Sequence, residues 1–446
     1  MPHIPQMRAM RTLVTAAAAC GLAFVLGCSD SKPLGPPPIY SSIVISGPDT
    51  VLIGGSVTFS ATVIDTGGNP VASPGLTFST SASGVASINN AGVAQGVSEG
   101  DVTVRATGGG IQSNALPLAV LQGYGWVDQS SAVPTVQTLR GVFFASNREG
   151  WAVGNLGTIL HTANAGKNWS TQVSNSTGYT LEAVGFLSPS IGVVVGSAGR
   201  VLRTVNGGTN WSVVAVDASG SGLNDVVFQD ANRGWIVGNG GVILRTINGG
   251  ATWTRVLPNA TVLDLESVAF PPYNLGGNPP ADPYGRGWIV GAGGTILTSS
   301  DFGSSWRLVS PFVTSDGLLG VTRRSKVDAV AVGSNDRVLN TFASGDSARW
   351  QLAGVPAPLA NLTAVSWSPE SAAPGHVWAV GKQSAGPAQA IVFHSTDGGG
   401  SWAAQALPGS APLSGNGLED VFFLDDRRGW AVGEQGLVLH TATGGR

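Results

Sequence analysis

Cysteine is nearly missing from this chain of 446 residues: there are two, Cys20 and Cys28, and both lie at the very start. The remainder of the chain can therefore form neither a disulfide nor a thiolate metal site. Charge is also scarce. Only 11% of residues are charged, and 23 Lys and Arg stand against 26 Asp and Glu, a net charge of -3. With no positive excess, no global field draws nucleic acid or anionic lipid to the protein. Metal-binding and nucleotide-binding motifs are absent, so no metal and no cofactor is expected. What is plentiful is Gly, at 65, and Trp, at 13. Many Gly, Val and Thr with few Lys and Glu favour short strands and tight turns over helices. The length allows two or three domains, each with its own core.

Arg8 and Arg11 precede an apolar stretch, 12–27, that is short for a membrane span. It ends in Val25-Leu26-Gly27-Cys28, which resembles the bacterial lipobox. The resemblance implies a signal peptide over 1–27, cleavage before Cys28, and a diacylglycerol on the Cys28 thiol. The plainer alternative is an ordinary signal peptide with an incidental cysteine. Residues 28–38 are polar and Pro-rich and read as an extended tether. An exported, lipid-anchored envelope protein is the expectation, with Ser29 pointing to the outer membrane.

Residues 39–122 alternate apolar and polar residues in short runs, such as 57–63, 76–80 and 102–106, with Asp65-Thr66-Gly67-Gly68-Asn69-Pro70 as a turn. About seven strands in such a span suit a β-sandwich. Gly54-Gly55-Ser56, Gly68-Asn69-Pro70-Val71, Gly92-Val93-Ala94 and Gly100-Asp101-Val102-Thr103-Val104 resemble the bacterial immunoglobulin-like domain, group 2. That resemblance implies a spacer or adhesion module, and a spacer is the reading preferred.

Residues 123–446 repeat with a period near 42. The unit runs Leu-x-x-Val-x-Phe, then Gly-Trp-x-Val-Gly, then a strand ending in Thr, then Asn-Gly-Gly-x-x-Trp. The opening leucines are read as Leu139, Leu181, Leu223, Leu265, Leu319, Leu362 and Leu418. Seven units of four strands, A to D, predict a seven-bladed β-propeller, so the fold class expected is all-β, a propeller preceded by an immunoglobulin-like sandwich. The last unit ends before its Trp, while Trp126 opens a spare D-type strand at 123–129. That strand is expected to close the last blade and remove a free sheet edge.

The C-to-D turn resembles the Asp-box, Ser/Thr-x-Asp/Asn-x-Gly-x-x-Trp. Five copies fit, centred on Asn164, Asn206, Asn248, Asp301 and Asp397, and a sixth, from Thr341 to Trp350, has decayed. The side-chain oxygen of such a residue accepts N–H bonds of its own turn, so these residues read as structural rather than as a ligand site. The repeat also resembles the photosystem II assembly and stability factor family. That resemblance implies a propeller that binds membrane-protein precursors during assembly.

Asp-boxes also occur in sialidases, so hydrolysis is weighed. No Tyr/Glu pair suited to that chemistry is recognisable around Tyr124, Tyr179, Tyr273 or Tyr284, and a second propeller to complete a two-carboxylate cleft is lacking. Glu182, Glu266 and Glu419 each follow a strand A leucine and read as a structural slot. His161, His394 and His440 recur at one strand C position and read as packing. No catalytic residue is assigned.

Arginine recurs just before strand B, at Arg148, Arg233, Arg286, Arg427 and Arg428, on the face shared by the A–B and C–D loops. An insertion in blade four adds Tyr273 and Tyr284 on the same face. These seven residues are the candidate partner-binding site, since Tyr and Arg anchor interfaces. The alternative is a solvated rim neutralised by Glu149, Asp230, Asp282, Asp425 and Asp426, with a tolerated surface insertion. Two further length changes, 381–389 and 403–417, lie on the opposite face. The function expected is a monomeric, non-catalytic envelope protein, held to the membrane by its lipid, whose propeller binds an unknown envelope protein or complex. A glycan-binding or glycan-hydrolysing surface protein and an adhesin-like structural protein are the alternatives.

Overall fold

The computed structural model describes residues 40–72, 75–121, 125–270, 285–309, 313–323, 329–341, 350–356, 360–368, 375–384, 388–409, 413 and 415–445. Cys28, Tyr273, Tyr284 and the turn of the sixth Asp-box lie outside the described residues. Among the described residues, no helix is long and apolar enough to cross a membrane. The chain divides into two compact units, the second holding everything from Val120 onward.

In the first unit, Tyr40–Ser46 pairs with Ser60–Asp65, Ser56–Thr58 with Val93–Gly96, and Thr77–Thr80 with Gly100–Gly108, all antiparallel. The single strand expected over 57–63 is broken at Phe59. Its two halves join different sheets, and the buried Phe59 ring marks the crossover.

The second unit holds seven four-stranded antiparallel sheets among the described residues. The A strands are Leu139–Phe144, Leu181–Phe186, Leu223–Phe228, Leu265–Ala269, Leu318–Arg323, Ala360–Trp367 and Leu418–Phe423. Each pairs with a B strand, such as Gly150–Gly154, then a C strand, such as Thr158–Thr162, then a D strand of two or three residues. Apart from the last two residues of Val377–Gln383, the B strands are buried along their whole length, because neighbouring sheets cover both faces. D strands are kept short, which limits the exposed outer edge.

Two details differ from expectation. The fifth A strand opens at Leu318, not Leu319: Leu318 pairs with Gly333 and is fully buried. Taken from Leu318, the run Leu-x-x-Val321 also fits the repeat. The D strands begin one residue after their Trp, except in the last blade, where Trp126–Asp128 includes it.

The blades are joined by aromatic stacking. At four of the seven joints the ring at the end of an A strand lies on the Trp of the preceding blade's B strand: Phe144 on Trp430 at 3.6 Å, Phe186 on Trp151 at 3.7 Å, Phe270 on Trp235 at 3.6 Å and Phe423 on Trp378 at 3.6 Å. Such pairs add about 0.5–1.5 kcal/mol each beyond area burial. Where the Trp slot holds Val330, the facing A strand ends in the larger Trp367, and the two share one core cluster. A Cβ on Gly150 would come within 2.4 Å of the Phe144 ring, so the first residue of that B strand must be glycine. Several indoles also bond across the joint: Trp151 Nε1 donates to the Gly207 carbonyl, Trp378 to Gly444 and Trp430 to Ala165.

The ring closes through its start. Trp126–Asp128 pairs with the C strand Val438–Thr441, with Trp126 opposite Thr441 and Asp128 opposite Leu439. Trp126 is buried and donates from Nε1 to Gln405 Oε1 at 2.8 Å. The last turn keeps the Asp-box bond from Gly445 N to Thr441 Oγ1 but has Thr443 in place of Asp or Asn, and its Trp comes from more than three hundred residues earlier in the chain.

Candidate functional site: an axial cavity with two unlike ends

The five Asp-boxes are closed on themselves. In the first, the Thr162 hydroxyl donates to Asn164 Oδ1 at 3.0 Å, and Asn164 Oδ1 also accepts from Asn168 N at 2.9 Å. Gly166 N donates to Thr162 Oγ1 at 3.0 Å. The pattern recurs around Asn206, Asn248, Asp301 and Asp397. Partial burial pushes the Asp301 and Asp397 carboxyls up, but the hydroxyl and N–H donors of Ser305 and Ser401 outweigh it and hold both below the ordinary value.

The arginine rim separates into different cases. Arg233 donates from Nε to Asp230 at 2.6 Å and stacks over the Phe302 ring at 4.2 Å. Arg428 is paired with Asp425 at 2.5 Å. Arg148 reaches the Ala163 carbonyl, and Glu149, expected as its counter-charge, instead bonds His161 at 2.7 Å. Arg286 is buried, not exposed on a rim. Asp425 and Arg428 face inward and line the cavity; Arg427 lines no part of it.

His161, His394 and His440 pack against Trp151, Trp378 and Trp430 with ring centroids 5.0, 4.7 and 4.9 Å apart. Burial pushes His440 down to about 4, so this ring stays neutral near pH 7.

The A strands enclose a cavity of about 600 Å³ on the propeller axis. Its wall follows from one repeated irregularity. In all seven A strands the ladder shifts register just after the repeat leucine: Leu139 pairs with Gly154, but Gly141 pairs with Val153. The extra residue is a β-bulge, which re-aims its side chain. The bulge residues are Arg140, Glu182, Asn224, Glu266, Leu319, Thr363 and Glu419, and all seven line the cavity. They form a collar at the end where the B–C and D–A connections lie.

Asn224 and Thr363 donate to the carbonyls of Leu265 and Leu418 in the next blades, each at 2.8 Å. The charged members interact with each other. Arg140 Nε is 3.6 Å from Glu182 and Arg140 Nη1 is 3.7 Å from Glu419. Glu266 accepts from Asn224 Nδ2 at 3.3 Å, and no cation lies in ion-pair range of it among the described residues. Burial pushes all three carboxyls up; Arg140 pulls Glu182 and Glu419 back down, while Asp264 and Glu182 push Glu266 further up.

One layer deeper, side chains take up the N–H groups of the next blade's inner strand. Asp225 accepts from Ser267 Oγ and Val268 N at 2.9 Å, and Asp420 from Val142 N at 2.9 Å. Ser267, Thr322 and Ser366 accept from Val321, Trp367 and Phe423 in the same way. An A strand is a sheet edge, and these contacts satisfy its donors without a further strand. Burial raises Asp225 and lifts Asp420 to about 7. Toward the far end come Phe143 and Phe422, 5.0 Å apart, then the buried Arg323 and the Arg428–Asp425 pair.

Glu182, Glu266 and Glu419 recur in the sequence as a structural slot and stand in the structure on the wall of the cavity. Their direction into one cavity depends on the bulge, which a period-two pattern does not reveal. Among the described residues, no group of three or more His, Cys, Asp or Glu is placed to hold a metal ion.

These features define a seven-bladed Asp-box propeller with a charged axial cavity. Residues 171–264 match the family model described as Photosynthesis system II assembly factor YCF48. The solved structure of YCF48 bound to D1 peptide is 18% identical, covers 72% of this chain and 96% of that chain, and has a TM-score of 0.54. YCF48 from Cyanidioschyzon merolae is 19% identical, with 71% and 98% covered and a TM-score of 0.54. Virginiamycin B lyase from Staphylococcus aureus is 11% identical, with 72% and 99% covered and a TM-score of 0.55. At these identities the likeness to the solved structures is one of fold. No curated protein matches the chain. The likeness to photosystem II assembly factors is thus one of sequence over residues 171–264 and one of fold over the propeller.

Proposed function

We propose that the protein is an exported, non-catalytic envelope scaffold, lipid-anchored at Cys28, whose propeller holds a segment of another envelope protein. The first unit serves as a spacer. The observation that carries the binding role is the axial cavity: a fixed, charged recess of about 600 Å³, walled by side chains already bonded to neighbouring blades. A site built this way is pre-organised for holding a ligand. A structure of the same fold holds a D1 peptide, which supports a polypeptide occupant. The A–B face, with Arg148, Arg233, Arg427 and Arg428, with Arg286 buried behind it and with Tyr273 and Tyr284 in the insertion, remains the proposed outer contact.

Crosslinking of the full-length protein in envelope membranes, followed by pull-down, tests the reading. A defined membrane-protein partner supports it. Release of sugar from polysaccharide would instead assign the cavity carboxylates to glycan hydrolysis, the reading favoured by their raised pKa values. Cys28→Ser should release the protein from membranes; unchanged membrane retention and processing would defeat the anchor.

A further inference from the structure

The collar end of the cavity carries a charge imbalance. Three carboxylates, Glu182, Glu266 and Glu419, share a single guanidinium, Arg140, which lies between two of them and leaves Glu266 to an amide. A cavity of this volume is in the size range of ligand clefts and far larger than an ion requires. The wall is also mixed in character: apolar at Leu319 of the collar and at the Phe143–Phe422 corner, polar between them. A bare divalent ion fits this poorly. Arg140 would repel it, and no three ligating side chains converge among the described residues. A long side chain with an apolar stem and a cationic head matches both features.

We propose that the collar end of the axial cavity receives a lysine or arginine side chain presented by a segment of the partner protein, its cation held by Glu266 together with Glu182 or Glu419. This deepens the scaffold reading and rests on it. It places the specific contact on the face opposite the arginine rim. The interaction is charge-assisted on both sides, and Glu266 is the collar carboxylate with no cation to give up.

The test uses the full-length protein and fluorescein-labelled Gly-Gly-Arg-Gly-Gly, with citrulline replacing arginine as the neutral control. Fluorescence anisotropy should show the arginine peptide bound about tenfold tighter than the control at low ionic strength, a preference that shrinks as salt is added. Glu266→Gln and the paired change Glu182→Gln with Glu419→Gln should each remove most of that preference while thermal unfolding stays unchanged. Equal binding of the two peptides, or a preference untouched by both variants, overturns the proposal. So does Mn²⁺ binding with the same glutamate dependence and no peptide preference. If wild type and Glu266→Gln crosslink the same partner equally in membranes, this inference fails while the scaffold reading stands. If wild type crosslinks none, the underlying reading fails.

Discussion

The two ends of the axial cavity are built from the same residue types and treat them in opposite ways. On the A–B side, outside the cavity lining, Asp230 sits three residues before its arginine and gathers the N–H groups of Asn232 and Arg233 as well as the guanidinium. Burial pushes Asp230 up, but those donors outweigh it and hold the carboxyl below the ordinary value. Asp425 is wired to Arg427 and Arg428 in the same manner. At the collar, among the described residues, no loop N–H groups reach Glu182 or Glu266, and burial raises both. A carboxylate fed by donors of its own loop is closed to a partner; one raised by burial with a shared counter-ion is still open to a cation.

The comparison presupposes a closed ring, and breaking the ring should have the largest effect. Trp126→Ala removes a buried indole from the closing strand and should cost about 3–5 kcal/mol in chemical denaturation. A loss below about 1 kcal/mol would mean that the strand does not hold the last blade.

Next is the wall between the two ends. Asp420→Ala leaves the Val142 and Val421 N–H groups without their acceptor and should cost about 2–3 kcal/mol. Asp420→Asn isolates the charge. The folded carboxyl, at about 7, lies above its unfolded value, so its contribution is present at low pH and is lost as pH rises toward 7. The melting temperature of Asp420→Asn relative to wild type should therefore rise between pH 4 and pH 7. His440, lowered to about 4, works in the other direction, gaining stability over the same rise, and is common to both proteins. A pH-independent difference would show that the carboxyl is not raised.

At the rim, Asp425→Ala should cost about 1–2 kcal/mol by freeing two backbone N–H groups and Arg428 together. Equal stability would remove the contrast drawn between the two ends. The smallest change in stability is expected at the collar. Arg140→Met should alter it by less than about 1 kcal/mol, because the pairs are long and partly solvated. The sharper readout is titration by NMR, where the Glu182 and Glu419 carboxyls should move further up. If neither moves, Arg140 is not their shared counter-ion.

Much of this architecture is legible in the sequence because the repeat is strict. The Gly-Trp-x-Val-Gly runs mark strands buried on both faces, and the Asp-box spacing fixes five of the C-to-D turns. The opening at Leu318 is legible too, since Val321 lies three residues after it as the repeat requires, although Arg323 stands in the Phe slot. The collar was less accessible. Arg140, Glu182 and Glu266 follow their leucines in plain view, but nothing in a local pattern says that one extra residue turns them toward a common axis. The rim was legible in composition and in two of its pairings, since Asp230 and Asp425 meet arginines three residues away, whereas Glu149 turns to a histidine on another strand.

The bulge carries one more consequence. Its residue lies outside the ladder pairing, whereas the leucine before it is fully buried in every blade. Within this single chain the leucine slot never varies, yet the next position holds Arg, Glu, Asn, Glu, Leu, Thr and Glu. Each blade thus offers one address on the axis that can be rewritten without disturbing the ladder that frames it. Seven such addresses on one ring make a combination that sets what the protein admits, separately from the fold that displays it.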